Sequence, residues 1–135
     1  MTAERRNISS GAPWEEKVGY SRAVRVGSLV FVAGTLACDE QGAIHGQGDA
    51  HAQTVYALRK IERALAQAGA SLADVVRTRM FVTDIAHQEA VGRGHKEVMG
   101  GVMPAATLVQ VGPLAHPFAL VEIEADAVVS GSGAG

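Results

Sequence analysis

Residues 120–125 constrain the fold most, because apolar and acidic side chains alternate along them. The stretch reads Leu120-Val121-Glu122-Ile123-Glu124-Ala125. A period of two places successive side chains on opposite faces of a strand, so the pattern predicts one buried face and one acidic face. Residues 103–111 contain a proline and then run extended. We expect the connection over residues 112–119 to fold these two strands against each other as the floor of a cleft.

The rest of the chain alternates strands with two helices. Gly27-Ser28 is typical of a two-residue hairpin turn and separates predicted strands over 23–26 and 29–33. Asp49 is a suitable N-cap for a helix that runs to about residue 68. A second helix is expected from about residue 87 to 99. The apolar stripe of the first helix consists of Val55, Leu58, Ile61, Leu65 and Ala68, at spacings of three and four.

A β-branched run from Val75 to Thr83 predicts the strand between the two helices. Strict alternation would place Val76 on one face with Thr78, Met80 and Val82. It would place Val75 on the other face with Arg77, Arg79 and Phe81.

The element order is therefore β-β-α-β-α-β-β, which predicts an α+β fold with a mixed sheet and two helices on one face. The strand over 29–33 is apolar on both sides, although two helices cover only one face. A second copy of the chain is the simplest cover for the other face, so the pattern predicts an oligomer.

We expect three regions along the chain. Residues 1–18 form an N-terminal arm without a clear period, which Trp14 would anchor to the body. Residues 19–129 form a single domain. Residues 130–135 are rich in Gly and Ser and form a flexible tail.

Composition narrows the classes of partner and compartment. The 135 residues carry a net charge of −2, which gives no electrostatic reason to bind nucleic acid or an anionic membrane. The single cysteine, Cys38, fits a reducing compartment. The charged N-terminus lacks the apolar run of a signal peptide, so we expect a cytoplasmic protein. The scattered histidines have no metal-ligand spacing, and we expect no metal and no cofactor.

Several motifs in order resemble the YjgF/Rid family, over about residues 19–129. They are Gly19-Tyr20-Ser21-Arg22-Ala23 before Leu29-Val30-Phe31-Val32-Ala33-Gly34, Asp74-Val75-Val76-Arg77-Thr78 before Phe81-Val82-Thr83-Asp84, and Pro104-Ala105 before Thr107-Leu108-Val109-Gln110-Val111 with Val121-Glu122-Ile123-Glu124-Ala125. The resemblance implies a chorismate-mutase-like fold and a homotrimer with small-molecule clefts between subunits. In the best-known members these clefts hydrolyse enamines and imines.

The resemblance also implies site residues. Tyr20 matches a tyrosine that lines the cleft, and Glu122 matches a glutamate that orients the attacking water. Ala33 replaces a common serine. The family arginine that holds the substrate carboxylate is replaced by Ala106, and a position used by some divergent members is Met103. The predicted catalytic residues are Tyr20 and Glu122, and the predicted substrate-binding residues are Ala33, His95, Met103, Ala106 and Leu108.

Each residue also has a structural interpretation. Tyr20 would be a packed ring, and Glu122 would belong to the polar strand face with Glu124 and Asp126. His95 would be a structural helix residue. Arg77 and Arg79 would reach a cleft or form ion pairs with the acidic face.

Three functions remain open at this stage. The first is a hydrolase of small imines or enamines with an altered substrate range, and the second is a trimer that binds a small molecule or partner without catalysis. The third is a ribonuclease or translation inhibitor, as older family names suggest, which the net charge disfavours.

Overall fold

The computed structural model describes residues 4–130. Its elements, in chain order, are β1 (Arg5–Ile8), α1 (Pro13–Val18), β2 (Ala23–Val26), β3 (Leu29–Thr35), α2 (Ala50–Gln67), β4 (Val75–Val82), α3 (Gln88–Met99), β5 (Ala105–Gln110) and β6 (Val121–Val128). The predicted flexible tail lies outside the described residues, apart from Ser130.

The strands form one sheet in the order β1-β2-β3-β6-β4-β5. All neighbouring pairs are antiparallel except β4 and β5, which are parallel. The α+β fold with a mixed sheet is confirmed. Helices α2 and α3 pack together, and the core lies between α2 and the sheet, where Leu58, Ile61 and Leu65 are buried with Val30 and Ile123.

The predicted start of α2 is confirmed by local chemistry. The Asp49 side chain accepts a hydrogen bond of 3.0 Å from the backbone N–H of Ala52, which satisfies one free donor of the first turn of α2. Ser71 and Asp74 form a capping box around the short 3-10 turn that precedes β4.

The predicted pairing of the two closing strands is wrong. Strand β5 pairs with β4, and β6 lies between β3 and β4. Because a parallel partner needs a crossover, α3 carries the chain from the end of β4 back to the start of β5. Strand β5 is therefore an edge strand, and it does not share a floor with β6.

The predicted faces of Val75 and Val76 are also reversed. Val75 is buried and Val76 is 48% exposed. The pairing of β4 with β6 shifts by one residue between Val75 and Arg77, and such a bulge turns the preceding side chain to the other face. Beyond the bulge, the alternation runs as predicted.

The N-terminal arm contains more structure than its sequence pattern indicates. Strand β1 pairs with β2 and extends the sheet, and α1 follows it. Trp14 does not anchor the arm, since its side chain is 61% exposed. The buried residue of α1 is Glu15.

The sheet face opposite α2 and α3, which we call the open face, carries exposed apolar side chains. Leu29 is 44% exposed and Phe31 is 46% exposed, whereas Val30 and Val32 on the other side of β3 are buried. Within residues 4–130, no helix has the length and apolar character needed to cross a membrane.

Candidate active site

Arg22 is the centre of a hydrogen-bond network at the start of β2. Its Nη1 donates to the carbonyl oxygen of Gly34 at 2.9 Å and to Thr35 Oγ1 at 3.0 Å. Its Nη2 donates to the phenolic oxygen of Tyr20 at 3.2 Å. The guanidinium therefore ties the loop that carries Tyr20 to the end of β3.

Glu15 holds the same guanidinium from the N-terminal side. Its Oε2 lies 3.7 Å from Arg22 Nε, and both side chains are nearly buried. The carboxylate also accepts hydrogen bonds from Ser9 Oγ and from the backbone N–H and Oγ of Ser10. Burial favours a higher pKa for Glu15, but these hydrogen bonds and the Arg22 charge outweigh burial and lower it.

A bulge in β3 brings Glu122 into this network. Val32 pairs with Ala125 and Thr35 pairs with Ile123, so two residues of β3 stand opposite one residue of β6. Those two residues are Ala33 and Gly34. A Cβ on Gly34 would lie 2.6 Å from Glu122 Oε2, so the carboxylate occupies space that only glycine leaves free.

The position of Glu122 shifts its protonation equilibrium. Burial raises the pKa of the Glu122 carboxyl, the negative charge of Glu124 raises it further, and the positive charge of Arg22 partly opposes both. A carboxyl group with a raised pKa exchanges protons closer to neutral pH, which suits general acid–base chemistry.

Tyr20 and Ala33 line one cleft, of about 600 Å³, on the open face. Glu15 lies in its wall, as do Phe31 and Glu124. Arg22 and Gly34 connect this cleft to Glu122, because Arg22 binds both Tyr20 and the Gly34 carbonyl, and Gly34 contacts the Glu122 carboxylate. We call Tyr20, Arg22, Ala33, Gly34 and Glu122 the charged half-site.

The remaining predicted site residues lie together elsewhere. His95 on α3 forms a hydrogen bond of 2.9 Å between its Nε2 and Oγ1 of the buried Thr78 on β4. Thr78 pairs with Ala106 on β5, so both side chains project from the same face of the sheet. Burial lowers the pKa of His95, which favours the neutral ring.

Two apolar residues adjoin this second group. Leu108 lies two residues along β5 from Ala106 and is partly buried against the core. Met103 is 82% exposed and has a φ of 57°, an unusual left-handed conformation for a residue with a side chain. We call His95, Met103, Ala106 and Leu108 the apolar half-site.

The two half-sites lie on opposite faces of the sheet within one chain. Glu122 pairs with Phe81, on the open face, whereas Ala106 pairs with Thr78, on the face that carries the helices. A single chain therefore does not bring Glu122 and Ala106 together around one ligand.

Arg79 forms ion pairs with the acidic strand face, which is one of the two roles that the sequence left open for it. Its Nη1 lies 3.3 Å from Glu124 Oε1 and 3.1 Å from Asp126 Oδ2. These contacts occupy the acidic residues next to Glu122. Among the described residues, no group of three or more His, Cys, Asp and Glu side chains could hold a metal ion.

Sequence reasoning missed Arg22 as a member of the site. Its immediate neighbours predict an ordinary strand start, and its partners Gly34 and Thr35 follow it by more than ten residues. The available signal was the spacing of two between Tyr20 and Arg22. In an extended chain, residues two positions apart lie on the same side, so this spacing could have indicated that Arg22 lies beside Tyr20.

Comparison with known proteins identifies the group to which this architecture belongs. The family model for endoribonuclease L-PSP matches residues 12–129. The 3-aminoacrylate deaminase RutC of Acinetobacter baylyi is 38% identical over 104 residues, which cover 77% of this chain and 82% of that protein. An uncharacterized protein of Streptomyces coelicolor is 39% identical over 128 residues, which cover 94% of this chain and 95% of that protein.

Among solved structures, Rv2704 from Mycobacterium tuberculosis superposes with a TM-score of 0.84 and 52% identity, covering 93% of this chain and 100% of that one. It is described as a member of the YjgF/YER057c/UK114 family. With the family model, the relatives and the fold in agreement, the chain belongs to the endoribonuclease L-PSP family, also known as the YjgF/RidA family.

Proposed function

We propose that this chain forms a homotrimer whose inter-subunit clefts hydrolyse small imines or enamines, with Glu122 as the residue that activates water. The observation that carries the proposal is the half-buried Glu122 carboxylate, whose pKa is raised and which lies against Gly34 next to the Arg22–Tyr20 pair. The deaminase relative adds support, because its named substrate, 3-aminoacrylate, is an enamine.

The chemistry needs one water and releases one ammonia. The deprotonated Glu122 accepts a proton from water while the water oxygen bonds to the imine carbon, and the imine nitrogen takes up a second proton from solvent. The protonated Glu122 then donates its proton to the amine of the resulting carbinolamine. The C–N bond breaks as the carbinolamine hydroxyl releases its proton to solvent, so that ammonia leaves and a carbonyl compound remains.

Assembly is part of the proposal because each chain carries the two half-sites on opposite faces of its sheet. The exposed apolar residues of the open face, among them Leu29 and Phe31, suit burial against another copy. In a closed ring, the charged half-site of one chain would meet the apolar half-site of the next. Three identical clefts would result.

The apolar half-site sets the expected substrate class. An arginine clamps a carboxylate through two parallel hydrogen bonds, and Ala106 cannot do so. We therefore expect preference for imines that lack a carboxylate next to the reacting carbon, with an apolar group against Leu108 and Met103.

The test compares two series of freshly generated imines. An amine oxidase supplies imines without a carboxylate, and an amino-acid oxidase supplies imines with one, in both cases with catalase present. Enzyme activity is the acceleration of ammonia release over the spontaneous rate. Glu122→Gln should lower kcat about 10²- to 10⁴-fold, whereas the surface control Glu62→Gln should not. A wild-type protein that accelerates neither series would refute the hydrolase.

Assembly has a separate test. Phe31→Asp places a charge on the open face and should convert the trimer to monomers in sedimentation velocity, since burial of that carboxylate without a partner is costly. Ile85→Asp alters an equally exposed apolar residue outside the sheet and should leave the trimer intact. A wild-type monomer would contradict the proposed cleft.

The alternative is a trimer that binds a small apolar metabolite without catalysis, and the Ala106 replacement favours it. Such a ligand stabilises the folded state and raises the Tm in proportion to its occupancy. A ribonuclease is disfavoured, because a net charge of −2 gives no electrostatic attraction to a phosphate backbone.

A further inference from the structure

Most of the N–H groups of the Arg22 guanidinium face partners within the protein. It donates to the Gly34 carbonyl, Thr35 Oγ1 and the Tyr20 oxygen, and its Nε faces Glu15. Its side chain is only 11% exposed. Four of the five N–H groups of Arg22 thus face described protein partners, and the one that remains cannot by itself take both oxygens of a substrate carboxylate. Any part that Arg22 has in the reaction is exerted through its neighbours.

One of these neighbours is Tyr20, which lines the cleft. A phenol has a single O–H hydrogen and an oxygen that accepts hydrogen bonds. Because Arg22 has no acceptor, its contact with Tyr20 fixes the phenolic oxygen as the acceptor. The phenolic hydrogen then points away from Arg22 and is free to be donated to a molecule in the cleft.

The other neighbour is Glu122. The groups that face it are Glu124 on its own strand, Arg79 on β4, which pairs with Glu124 and Asp126, and the backbone of Gly34 on β3. The Arg79 charge is shared between two other carboxylates. Arg22 is the cation whose field acts to keep the Glu122 carboxylate ionised, against burial and against Glu124.

We propose that Arg22 is a positioning residue of the cleft: it turns the Tyr20 hydroxyl into a hydrogen-bond donor towards the substrate and sets a fixed positive charge against the Glu122 carboxylate. This inference deepens the proposed hydrolase and rests on it for its catalytic meaning. In the reaction, Tyr20 would donate a hydrogen bond to the imine nitrogen while Glu122 takes the proton of water.

Glu15 extends the arrangement to the N-terminal arm. Its carboxylate is buried and is held by Ser9 and Ser10, so it offers Arg22 a fixed rather than a mobile partner. The arm thereby orients the guanidinium, which orients the phenol.

The test separates the charge of Arg22 from its shape. Arg22→Gln removes the charge, and Arg22→Lys keeps a charge but not the planar fork. Arg25→Gln is the matched control, because Arg25 lies on β2, three residues after Arg22, and also donates to backbone carbonyls, those of Gly27 and Ala68. The measurements are kcat/KM against pH and the Glu122 carboxyl titration by ¹³C NMR.

In Arg22→Gln we expect the Glu122 titration to move to higher pH, since a stabilising positive charge is gone. The acidic limb of the rate profile should move with it, because a base works only when deprotonated. In Arg22→Lys the limb should stay close to that of the wild type, while kcat/KM falls about tenfold to a hundredfold from loss of Tyr20 orientation. Arg25→Gln should change neither.

The two failures are distinguishable. If no imine is hydrolysed, the proposed function fails, but the NMR titration still reports whether Arg22 acts on Glu122. An unchanged Glu122 titration in folded Arg22→Gln would overturn the inference even in an active enzyme. Should Arg22→Gln not fold, Arg22→Lys decides, because wild-type kcat/KM in that variant would refute the positioning of Tyr20.

Discussion

The charged and apolar half-sites differ in how much they are held by their surroundings. In the charged half-site, Arg22 alone joins Tyr20, Gly34, Thr35 and Glu15. In the apolar half-site the side chain of His95 forms one hydrogen bond, with Thr78, and Met103 is highly exposed. A group that performs chemistry must be fixed in place, whereas a surface that accepts the rest of a substrate needs only shape. In the proposed hydrolase, the reaction would therefore belong to the first half-site and the choice of substrate to the second.

The largest effect is expected where the charged half-site is most tightly packed. In Gly34→Ala the new methyl group would meet Glu122 Oε2 at 2.6 Å and displace the carboxylate. We expect kcat to fall about a hundredfold, because a displacement of about 1 Å is sufficient for such a loss. The assay is imine hydrolysis under saturating substrate.

Its control is Gly92→Ala on α3, where an added Cβ meets nothing within 4 Å. That change should leave kcat unchanged and raise the free energy of unfolding by about 0.5–1 kcal/mol, the usual helix preference for alanine. Equal activity of the two variants would show that the charged half-site does not need Glu122 fixed in place.

A smaller effect on activity, a gain rather than a loss, is expected from a substitution in the apolar half-site. Ala106→Arg should raise kcat/KM for carboxylate-bearing imines relative to uncharged ones about tenfold or more, since a guanidinium offers two parallel hydrogen bonds. Ala106→Met has similar reach without charge and should not. An unchanged preference in Ala106→Arg would show that β5 does not face the substrate.

The smallest effect on activity is expected at His95. His95→Phe leaves the buried Thr78 hydroxyl without its partner and should cost about 1–3 kcal/mol of stability. Activity should change by less than tenfold, since we place His95 in the substrate-accepting half-site. Urea denaturation and kcat/KM give the two values, and a larger loss of activity than Gly34→Ala shows would reverse our assignment.

The pH dependence of stability follows from the same residue. Burial lowers the folded-state pKa of His95 below its ordinary value of 6.5, so just below that pH the unfolded chain binds more protons. Its contribution to stability is present above about 6.5 and is lost as pH falls towards the folded pKa. His95→Phe should flatten this part of the stability curve, and the control His45→Asn, at an exposed histidine, should not.

The sequence predicted the parts of the fold that depend on local chemistry. Asp49 marks the start of α2, Gly27-Ser28 marks the hairpin, and the alternation of residues 121–125 marks β6. The pairing of β5 could not be read in this way, because strand order depends on contacts between distant segments. The reversed faces of Val75 and Val76 arose from a bulge, which adds one residue without changing the composition.

The site residues differ in the same way, because some were indicated by local sequence and others depend on contacts between distant strands. Tyr20 and Ala33 line one cleft of the chain, and their roles as site residues stay predictions. The roles of Glu122 and Ala106 also stay predictions, and no sequence pattern indicated that these two residues project from opposite faces. Arg22 and Gly34 were missed because what distinguishes them is a close approach between strands, and no spacing along the chain records that.

The hydrogen bonds from Ser9 and Ser10 to the Glu15 carboxylate have a practical consequence. Gly11 and Pro13, on the segment between these serines and Glu15, are exposed, so a protease could cut there while β1 stayed paired in the sheet. The clipped protein would keep its fold yet lose the covalent link that holds Ser9 and Ser10 beside Glu15. A recognition site for tag removal is therefore best kept away from this segment.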